Sequence, residues 1–198
     1  MDVTFRKLRE IADVAQGGTL SRLRSQHGKA YPVIQISNLA SLELGADGTE
    51  LEQETFDPDR VAKHRVQEGQ VLVSLRSESV KSSVIPPAYS SAVVGTNIAI
   101  VRPVGRVSPY YLAALFRSNF MNSRLRGLIG GTVIPSLSVK QLREFKIPVV
   151  EYHDQLTIVE AFRALEDYVR VTRQLGVQQQ LRLEACLDRW FGDADASD

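Results

Sequence analysis

The chain has 198 residues, of which 43% are hydrophobic and 24% are charged, a balance that predicts a folded globular protein and excludes a disordered one. No apolar run approaches the roughly 18 residues needed to span a membrane, and the first residues lack the apolar core of a signal peptide. The single cysteine, Cys186, excludes an internal disulfide framework, so we expect a cytoplasmic protein.

Charge is distributed unevenly, although the formal net charge is only +1. Residues 60–146 contain thirteen basic and three acidic side chains, a net charge of +10. Residues 41–59 contain seven acidic and no basic side chains, and residues 151–198 have a net charge of −5. A basic middle segment between acidic flanks indicates a face that binds a polyanion. The alternative is that the charged side chains are clustered by chance on a solvated surface.

The first hundred residues are predicted to form short strands separated by turns. Residues 5–14 have the apolar spacing of a short helix or turn, which leads into Gly17 and Gly18. The acidic residues 43–59 lack periodicity and are interpreted as an excursion that could contain a hairpin. β-Branched runs bounded by glycine and proline predict strands over residues 33–36, 71–75, 92–94 and 98–101.

Helices are predicted to follow. Ser108 and Pro109 are the residue types of an N-cap and a first helical position, and this helix is predicted to continue in a second segment to Leu125. Ser138 and Gln141 form the capping-box pattern of a short helix, which precedes a strand at residues 147–148. Short strands mixed with two or three helices predict an α+β domain over residues 1–150.

The last part of the chain is predicted to be one long helix of roughly 55–60 Å, at 1.5 Å per residue. We predict this dimerisation or spacer helix over residues 151–191, followed by a flexible tail over 192–198. A 150-residue domain cannot bury such a helix, so a partner helix is needed. Cys186 is interpreted as a small core residue of the seam. Apolar residues spaced alternately by four and three form this coiled-coil seam around a polar centre at Thr172, Gly176 and Gln179: Ile158, Phe162, Leu165, Val169, Leu183, Cys186 and Trp190.

Several short motifs follow one another along the chain: GGTLS at 17–21, PVIQISNL at 32–39, GQVLVSLR at 69–76, NIAIVRP at 97–103, PYYL at 109–112, the Gly130-Gly131-Thr132 turn, Ile147-Pro148 and Gln155. In this order and spacing, they resemble a target recognition domain of the specificity (S) subunits of type I restriction-modification enzymes. Leu20 stands where that family usually has proline, and the loop after Arg76 lacks the usual glycines. The prolines that usually follow Pro148, and a glutamate before Gln155, are also absent.

The resemblance implies a subunit that recognises DNA and does no chemistry itself. Full-length S subunits carry two recognition domains and two long helices that pack as an antiparallel coiled coil, whereas this chain carries one of each. It therefore resembles a half-subunit that pairs with a second copy, or with another half, and reads a bipartite palindromic site. Its partners would be double-stranded DNA, two methyltransferase subunits and a restriction or translocase subunit. S-adenosylmethionine would be bound by the methyltransferase, and neither a cofactor nor a metal is expected on this chain.

Positions within such a domain select the candidate DNA contacts, because basic, hydroxyl and amide side chains on loops can reach base edges and phosphates. The candidates lie in the loop after the first glycine pair, after the second strand, at the opening of the fourth strand and near the second glycine pair: Arg22, Arg24, Lys29, Arg76, Ser77, Lys81, Asn97, Arg124, Arg126 and Thr132. For each, a solvated or structural role is the alternative, and Asn97 could serve turn chemistry alone.

Other functions fit the sequence less well. An adaptor of a related DNA-modification or phage-defence complex could keep the helix without reading DNA, but the basic segment favours DNA binding. Glu144 and Lys146 resemble the E-x-K half of a nuclease site without the metal-binding aspartate at a sensible spacing. A methyltransferase would need a glycine-rich cofactor loop and an N-P-P-[YF] motif, which do not occur. The histidines, His27, His64 and His153, stand alone and form no metal-ligand pattern with Cys186.

Overall fold

The computed structural model describes residues 2–127 and 136–195, with side chains described as far as residue 190. The chain divides into two compact units, Met1–Glu160 and Ala161–Asp198. The first unit contains all the described strands, the six shorter helices and the first turns of the long helix. Within the described residues, no helix combines the length and apolar character that a membrane span requires.

The described strands form three small sheets. The two-stranded sheet consists of β1 (Thr4–Lys7) and β9 (Lys146–Val149). The four-stranded sheet has the order β2 (Ala12–Gln16), β8 (Ile98–Pro103), β5 (Val71–Ser74) and β6 (Ser82–Val84). The three-stranded sheet has the order β4 (Glu52–Phe56), β3 (Arg24–Ile34) and β7 (Val93–Val94). All neighbouring strands are antiparallel except β3 and β7, which are parallel.

Helices fill the connections. In chain order, they are α1 (Leu8–Ile11), α2 (Leu20–Leu23), α3 (Pro58–Val61), α4 (Pro109–Arg117), α5 (Asn119–Arg126), α6 (Val139–Glu144) and α7 (Tyr152–Asp195). Short 3-10 turns occur at Ile36–Asn38, Ala62–His64 and Pro87–Tyr89. The caps predicted from the sequence are confirmed: Ser108 accepts a hydrogen bond from the Tyr111 backbone, and Ser138 forms the reciprocal box with Gln141. Each cap satisfies a backbone N–H that has no partner within the helix.

The main core lies on both faces of β5. Leu72 belongs to a cluster with Ile98 and Ile100, while α4 packs against β5 and β6. Val71, Leu72 and Val73 are fully buried, which explains why this strand is a continuous apolar run rather than an alternating one. A second cluster around Phe56 joins α2 and α3 to the three-stranded sheet.

The predicted fold class is confirmed as a mixed domain of strands and helices followed by a long C-terminal helix. The prediction for residues 5–14 is only partly right, because the segment forms β1, the four-residue α1 and β2. Its strands depend on β9 and β8, which are distant in sequence. The hairpin considered within residues 43–59 is not found there: of that segment only β4 is a strand, and it pairs with β3, which lies before the segment and is longer than predicted. Residues 192–195 of the predicted tail are helical, and residues 196–198 lie outside the described residues.

β6 was missed, since the sequence predicted only a loop there. Its serines do not resemble a buried strand, yet Ser82 and Ser83 are fully buried. The Ser82 hydroxyl donates to the Ala113 carbonyl (2.8 Å) and the Ser83 hydroxyl donates to the Ser41 carbonyl (2.5 Å). These bonds offset the cost of burying the hydroxyls, which sequence patterning cannot anticipate.

Candidate nucleic-acid interface

One edge of the four-stranded sheet gathers several turns. β2 and β5 end at this edge and β6 and β8 begin there, as the register pairs Gln16–Ala99 and Ser74–Ile98 show. The segments beyond these strand ends therefore lie side by side. They are termed the loop edge, which comprises residues 17–19, 75–81 and 95–97.

Backbone hydrogen bonds hold the loop edge together. The Gly17 N–H donates to the Ile98 carbonyl (3.0 Å), and the Leu75 N–H donates to the Asn97 carbonyl (2.8 Å). Asn97 is exposed in the turn between β7 and β8. Its predicted location at the opening of a strand agrees with the structure, and it lies beside the loop that follows β5.

The first glycine pair serves close backbone packing. Gly18 bridges Gly95, and the Gly18 N–H donates to the Val94 carbonyl (2.9 Å). A Cβ on Gly17 would lie 2.3 Å from the Gly95 carbonyl oxygen, and one on Gly18 would lie 2.8 Å from the His64 ring. Glycine is therefore required where the end of β2 meets the end of β7.

The β5–β6 loop, residues 75–81, carries three of the predicted contacts. Arg76 is exposed, while Ser77 and Lys81 are half-buried. The Ser77 hydroxyl donates to the Ser79 carbonyl (2.6 Å), so the 2.7 Å contact between the Ser74 and Ser77 hydroxyls has Ser74 as donor. Ser74 Oγ also accepts from the Lys81 N–H (2.8 Å), which closes the mouth of the loop.

α5 supports the same loop from the side. The Val80 N–H donates to Asn122 Oδ1 (2.6 Å), and Arg126 Nη2 donates to the Glu78 carbonyl (3.1 Å). Arg76 also forms an isolated bridge with Ser136. The structure thus gathers five predicted candidates at one edge: Arg76, Ser77, Lys81, Asn97 and Arg126.

The three candidates after the first glycine pair do not lie in a loop, so that prediction is wrong. Arg22 is exposed on α2, directly after the first segment of the loop edge, whereas Arg24 and Lys29 lie on β3. β4 pairs with this segment and converts it into a ribbon. Phe56 is the register partner of both Arg24 and Lys29, so the pairing of β3 with β4 is irregular over residues 25–28.

Arg24 is engaged within that ribbon. Its Nε and Nη2 atoms donate to the two carboxylate oxygens of Glu54 at 2.7 and 2.9 Å. Hydrogen bonding from Arg24 lowers the pKa of Glu54, and the same bond raises the pKa of Arg24. The charge of Arg24 is therefore partly neutralised, unlike the sequence-based expectation of a free loop arginine.

Arg124 lies on the other face of α5 from Arg126, about 200° around the helix. Its guanidinium lies over the rings of Phe5, Phe120 and Phe145, at 5.3, 5.4 and 6.0 Å from their centroids. The structure does not group Arg124 with the loop edge. Thr132 and its neighbouring glycines fall outside the described residues.

The E-x-K residues are placed on structural elements. Glu144 ends α6 and contacts Lys7 Nζ (2.8 Å) and Arg9 Nη1 (3.2 Å), while Lys146 begins β9. Hydrogen bonding from Lys7 lowers the pKa of Glu144. In the part of the chain that the structure describes, no group of three or more His, Cys, Asp or Glu side chains could hold a metal ion.

Gln155 anchors the start of α7 to the rest of the first unit. Its Oε1 accepts from the Ser108 N–H (2.9 Å), and its Nε2 donates to the carbonyls of Val150 (3.0 Å) and Arg106 (3.1 Å). The side chain is only 1% exposed. The glutamine of the last motif therefore has a structural role.

Most of the predicted helical seam is open to solvent. Every residue from 167 to 190 is exposed, and Ile158 and Phe162 are half-buried. Leu165, Val169, Leu183 and Trp190 are among the large exposed apolar side chains. α7 is continuous through Gly176, so the polar centre does not interrupt it.

The family profile described as the type I restriction modification DNA specificity domain matches residues 1–181. The chain belongs to this family. No curated protein sequence matches it. The family match and the loop edge together identify a DNA specificity domain whose strand-end turns carry basic, hydroxyl and amide side chains.

Solved structures of type I specificity subunits share this fold. A chain from a study of the assembly and conformational transition of a type I R-M system has a TM-score of 0.68, 18% identity and 93% coverage of this chain. The HsdS subunit from Thermoanaerobacter tengcongensis has a TM-score of 0.61, 19% identity and 87% coverage. The S subunit from M. genitalium has a TM-score of 0.59, 16% identity and 95% coverage. This specificity-domain chain spans 43%, 39% and 46% of their respective lengths.

Proposed function

We propose that the chain is a half-length specificity subunit, with a recognition domain over residues 1–150, that dimerises through α7 and reads a bipartite palindromic DNA site for a type I methyltransferase complex. One observation carries the proposal: a DNA specificity domain with a polar, basic loop edge continues directly into a 44-residue helix with an exposed apolar seam.

The loop edge favours DNA reading over an adaptor without base contacts. Arg76 and Asn97 are exposed at adjacent turns, and both side-chain types can make bidentate contacts with base edges in the major groove. Lys81 and Arg126 supply charge for phosphates beside them. The same turns rest on a rigid buried sheet, which fixes their register relative to the duplex.

The seam pattern is compatible with an antiparallel second copy. The spacing from Ile158 to Trp190 alternates four and three residues, and it has the same order in both directions. Reversing one helix therefore aligns the seam with itself about a centre between Thr172 and Gly176. In this register, apolar ends meet apolar ends, and the large Phe162 faces the small Cys186 of the second copy.

The remaining partners follow from this assignment. Methyltransferase subunits would dock on the dimer and would bind S-adenosylmethionine, while this chain would contribute recognition and no catalysis. A restriction or translocase subunit would complete a cleaving enzyme. We expect such a complex in the cytoplasm, where the DNA is accessible.

The test is methylation mapping with the reconstituted complex, together with selection from a randomised duplex library. We expect two inverted half-sites around a degenerate spacer of fixed length, because a two-fold axis relates the two recognition domains. Inserting one base pair rotates one half-site by about a tenth of a turn, given 10–10.5 base pairs per turn, and should abolish specific methylation. A continuous or asymmetric motif contradicts the symmetric dimer, and absence of any motif favours the adaptor.

A further inference from the structure

Asn122 occupies an unusual position for an asparagine, because it is only 8% exposed and bonds three backbone groups from two parts of the chain. We infer that Asn122 is a positioning residue of the loop edge, which fixes the backbone of the β5–β6 loop so that Arg76 and Ser77 are presented to DNA. The inference rests on the proposed function, and it adds a specificity-determining residue that touches no DNA itself.

The amide of Asn122 is anchored firmly at the junction between α4 and α5. Its Nδ2 donates to the carbonyls of Phe116 (3.0 Å) and Ser118 (3.1 Å). The Phe116 carbonyl lies in the last turn of α4 and has no partner within that helix, so the amide supplies a donor that it would otherwise lack, whereas the Ser118 carbonyl also accepts the Asn122 backbone N–H (3.0 Å). With both amide hydrogens used, the orientation of Oδ1 is fixed.

The fixed Oδ1 then holds the loop. It accepts the Val80 N–H at 2.6 Å, on the arm of the loop that returns to β6. Losing this acceptor leaves a half-buried N–H without its bond, a more costly state than an exposed one. Arg126 donates to the Glu78 carbonyl, so it offers no acceptor that could replace Asn122 Oδ1 at the Val80 N–H.

The first half of the loop, which contains Arg76 and Ser77, is linked to the Val80–Asn122 bond through the hydrogen bonds of Ser74. Ser74 bonds both Ser77 and the Lys81 backbone, so displacement of the Val80 arm also disturbs Ser77. Arg76 lies between Ser77 and the anchored Leu75, whose N–H bonds the Asn97 carbonyl. Loosening one arm should therefore broaden the positions available to the Arg76 guanidinium.

Asn122 is neutral, which separates positioning from electrostatic attraction. Asn122→Ala removes no charge, so salt-dependent binding to unrelated duplexes should be unchanged. Discrimination needs a fixed geometry and should fall. We expect the ratio of affinities for cognate and scrambled duplexes to drop about five- to tenfold, the size typical of one lost hydrogen bond.

The experiment uses the full chain with its methyltransferase and compares Asn122→Ala with Asn119→Ala, an exposed asparagine on the same helix. Hydrogen exchange in the free chain should show faster exchange at Val80 in the first variant only. Duplex binding then measures the discrimination ratio in both. If Asn122→Ala does not fold, Asn122→Ser is compared with Asn119→Ala instead, because the shorter serine side chain cannot reach all three backbone partners of Asn122.

Combination with Arg76→Ala separates positioning from general destabilisation. If Asn122 acts through Arg76, Asn122→Ala should cost little further discrimination once Arg76 is alanine, whereas independent effects would multiply. An unchanged ratio, an equal loss for both duplexes, or independent effects would overturn the inference. If the wild-type complex does not discriminate between duplexes, the proposed function itself fails, and the Val80 exchange still reports whether the tie exists.

Discussion

Leu165→Ala tests the helical seam most directly. The side chain is 58% exposed, so about that fraction of its surface can be buried by a second copy. Complete burial of leucine contributes roughly 1.5–3 kcal/mol, and alanine keeps the Cβ, so the loss is about 1 kcal/mol per copy. Two copies per dimer give ~2 kcal/mol, which raises the dimer Kd about 30-fold. Alanine is a strong helix former, so α7 itself should persist.

Sedimentation equilibrium over a concentration series measures this change. Leu181→Ala is the matched control, because Leu181 is 60% exposed on the same helix but lies off the seam. We expect the control to leave the Kd within about threefold of the wild type, since surface substitutions usually change stability little. Equal weakening by the two variants, or greater weakening by Leu181→Ala, refutes the seam. A monomeric wild-type chain at high concentration, with its partner subunits present, refutes homodimerisation.

Three further expectations follow from the described contacts. In the antiparallel register, Phe162→Cys should cross-link to Cys186 of the second copy on oxidation, whereas the wild-type Cys186 residues lie roughly 36 Å apart and should not. Arg76→Ala should weaken binding to the cognate duplex by on the order of 1–3 kcal/mol and reduce the base preference at one position of the site, which library selection measures. Arg24→Ala should leave discrimination between duplexes unchanged, because Arg24 is bonded to Glu54. Hydrogen bonding from Arg24 lowers the pKa of Glu54 in the folded protein. The pair therefore stabilises the fold at pH values above the pKa of Glu54 in the unfolded chain, and this stabilisation is lost as the pH falls through the lower, folded-state pKa. Glu54→Gln should therefore flatten the acid limb of a plot of unfolding free energy against pH, and an unchanged limb would contradict this role for the pair.

Local sequence patterns predicted the elements whose causes are local. The apolar run of β5 and the caps at Ser108 and Ser138 depend on residues within a few positions of one another, and all three were predicted correctly. The α7 seam is likewise a repeating local pattern. β1 was missed because its hydrogen-bonding partner, β9, lies about 140 residues away, and no pattern in residues 4–7 indicates that pairing.

The candidate contacts divide in the same way. Arg76 lies just after the end of β5 and Asn97 lies just before the start of β8, so correct prediction of these two strands is enough to bring both residues to one edge of the sheet. The sequence predicts a loop for Arg24, because the ribbon that contains it depends on β4, which lies inside an acidic segment without periodicity. Asn122 gave no signal, since its role arises only when Val80, 42 residues earlier, meets α5. A polar residue that bonds distant backbone cannot be distinguished in sequence from one that faces solvent.

At the loop edge, the side chains that hold the turns in place differ from those that the proposed function assigns to DNA contact. Ser74, Asn122 and the first glycine pair are buried and bond backbone, so their replacement changes the shape of the edge. Arg76 and Asn97 are exposed, so their replacement changes the surface while the sheet and its turns stay in place. If the loop edge reads DNA as proposed, exposed substitutions alone would change the DNA target, because replacing these side chains removes no bond that supports the fold. In the proposed dimer, substitutions among the exposed apolar residues of α7 would likewise change the partner without altering the loop edge.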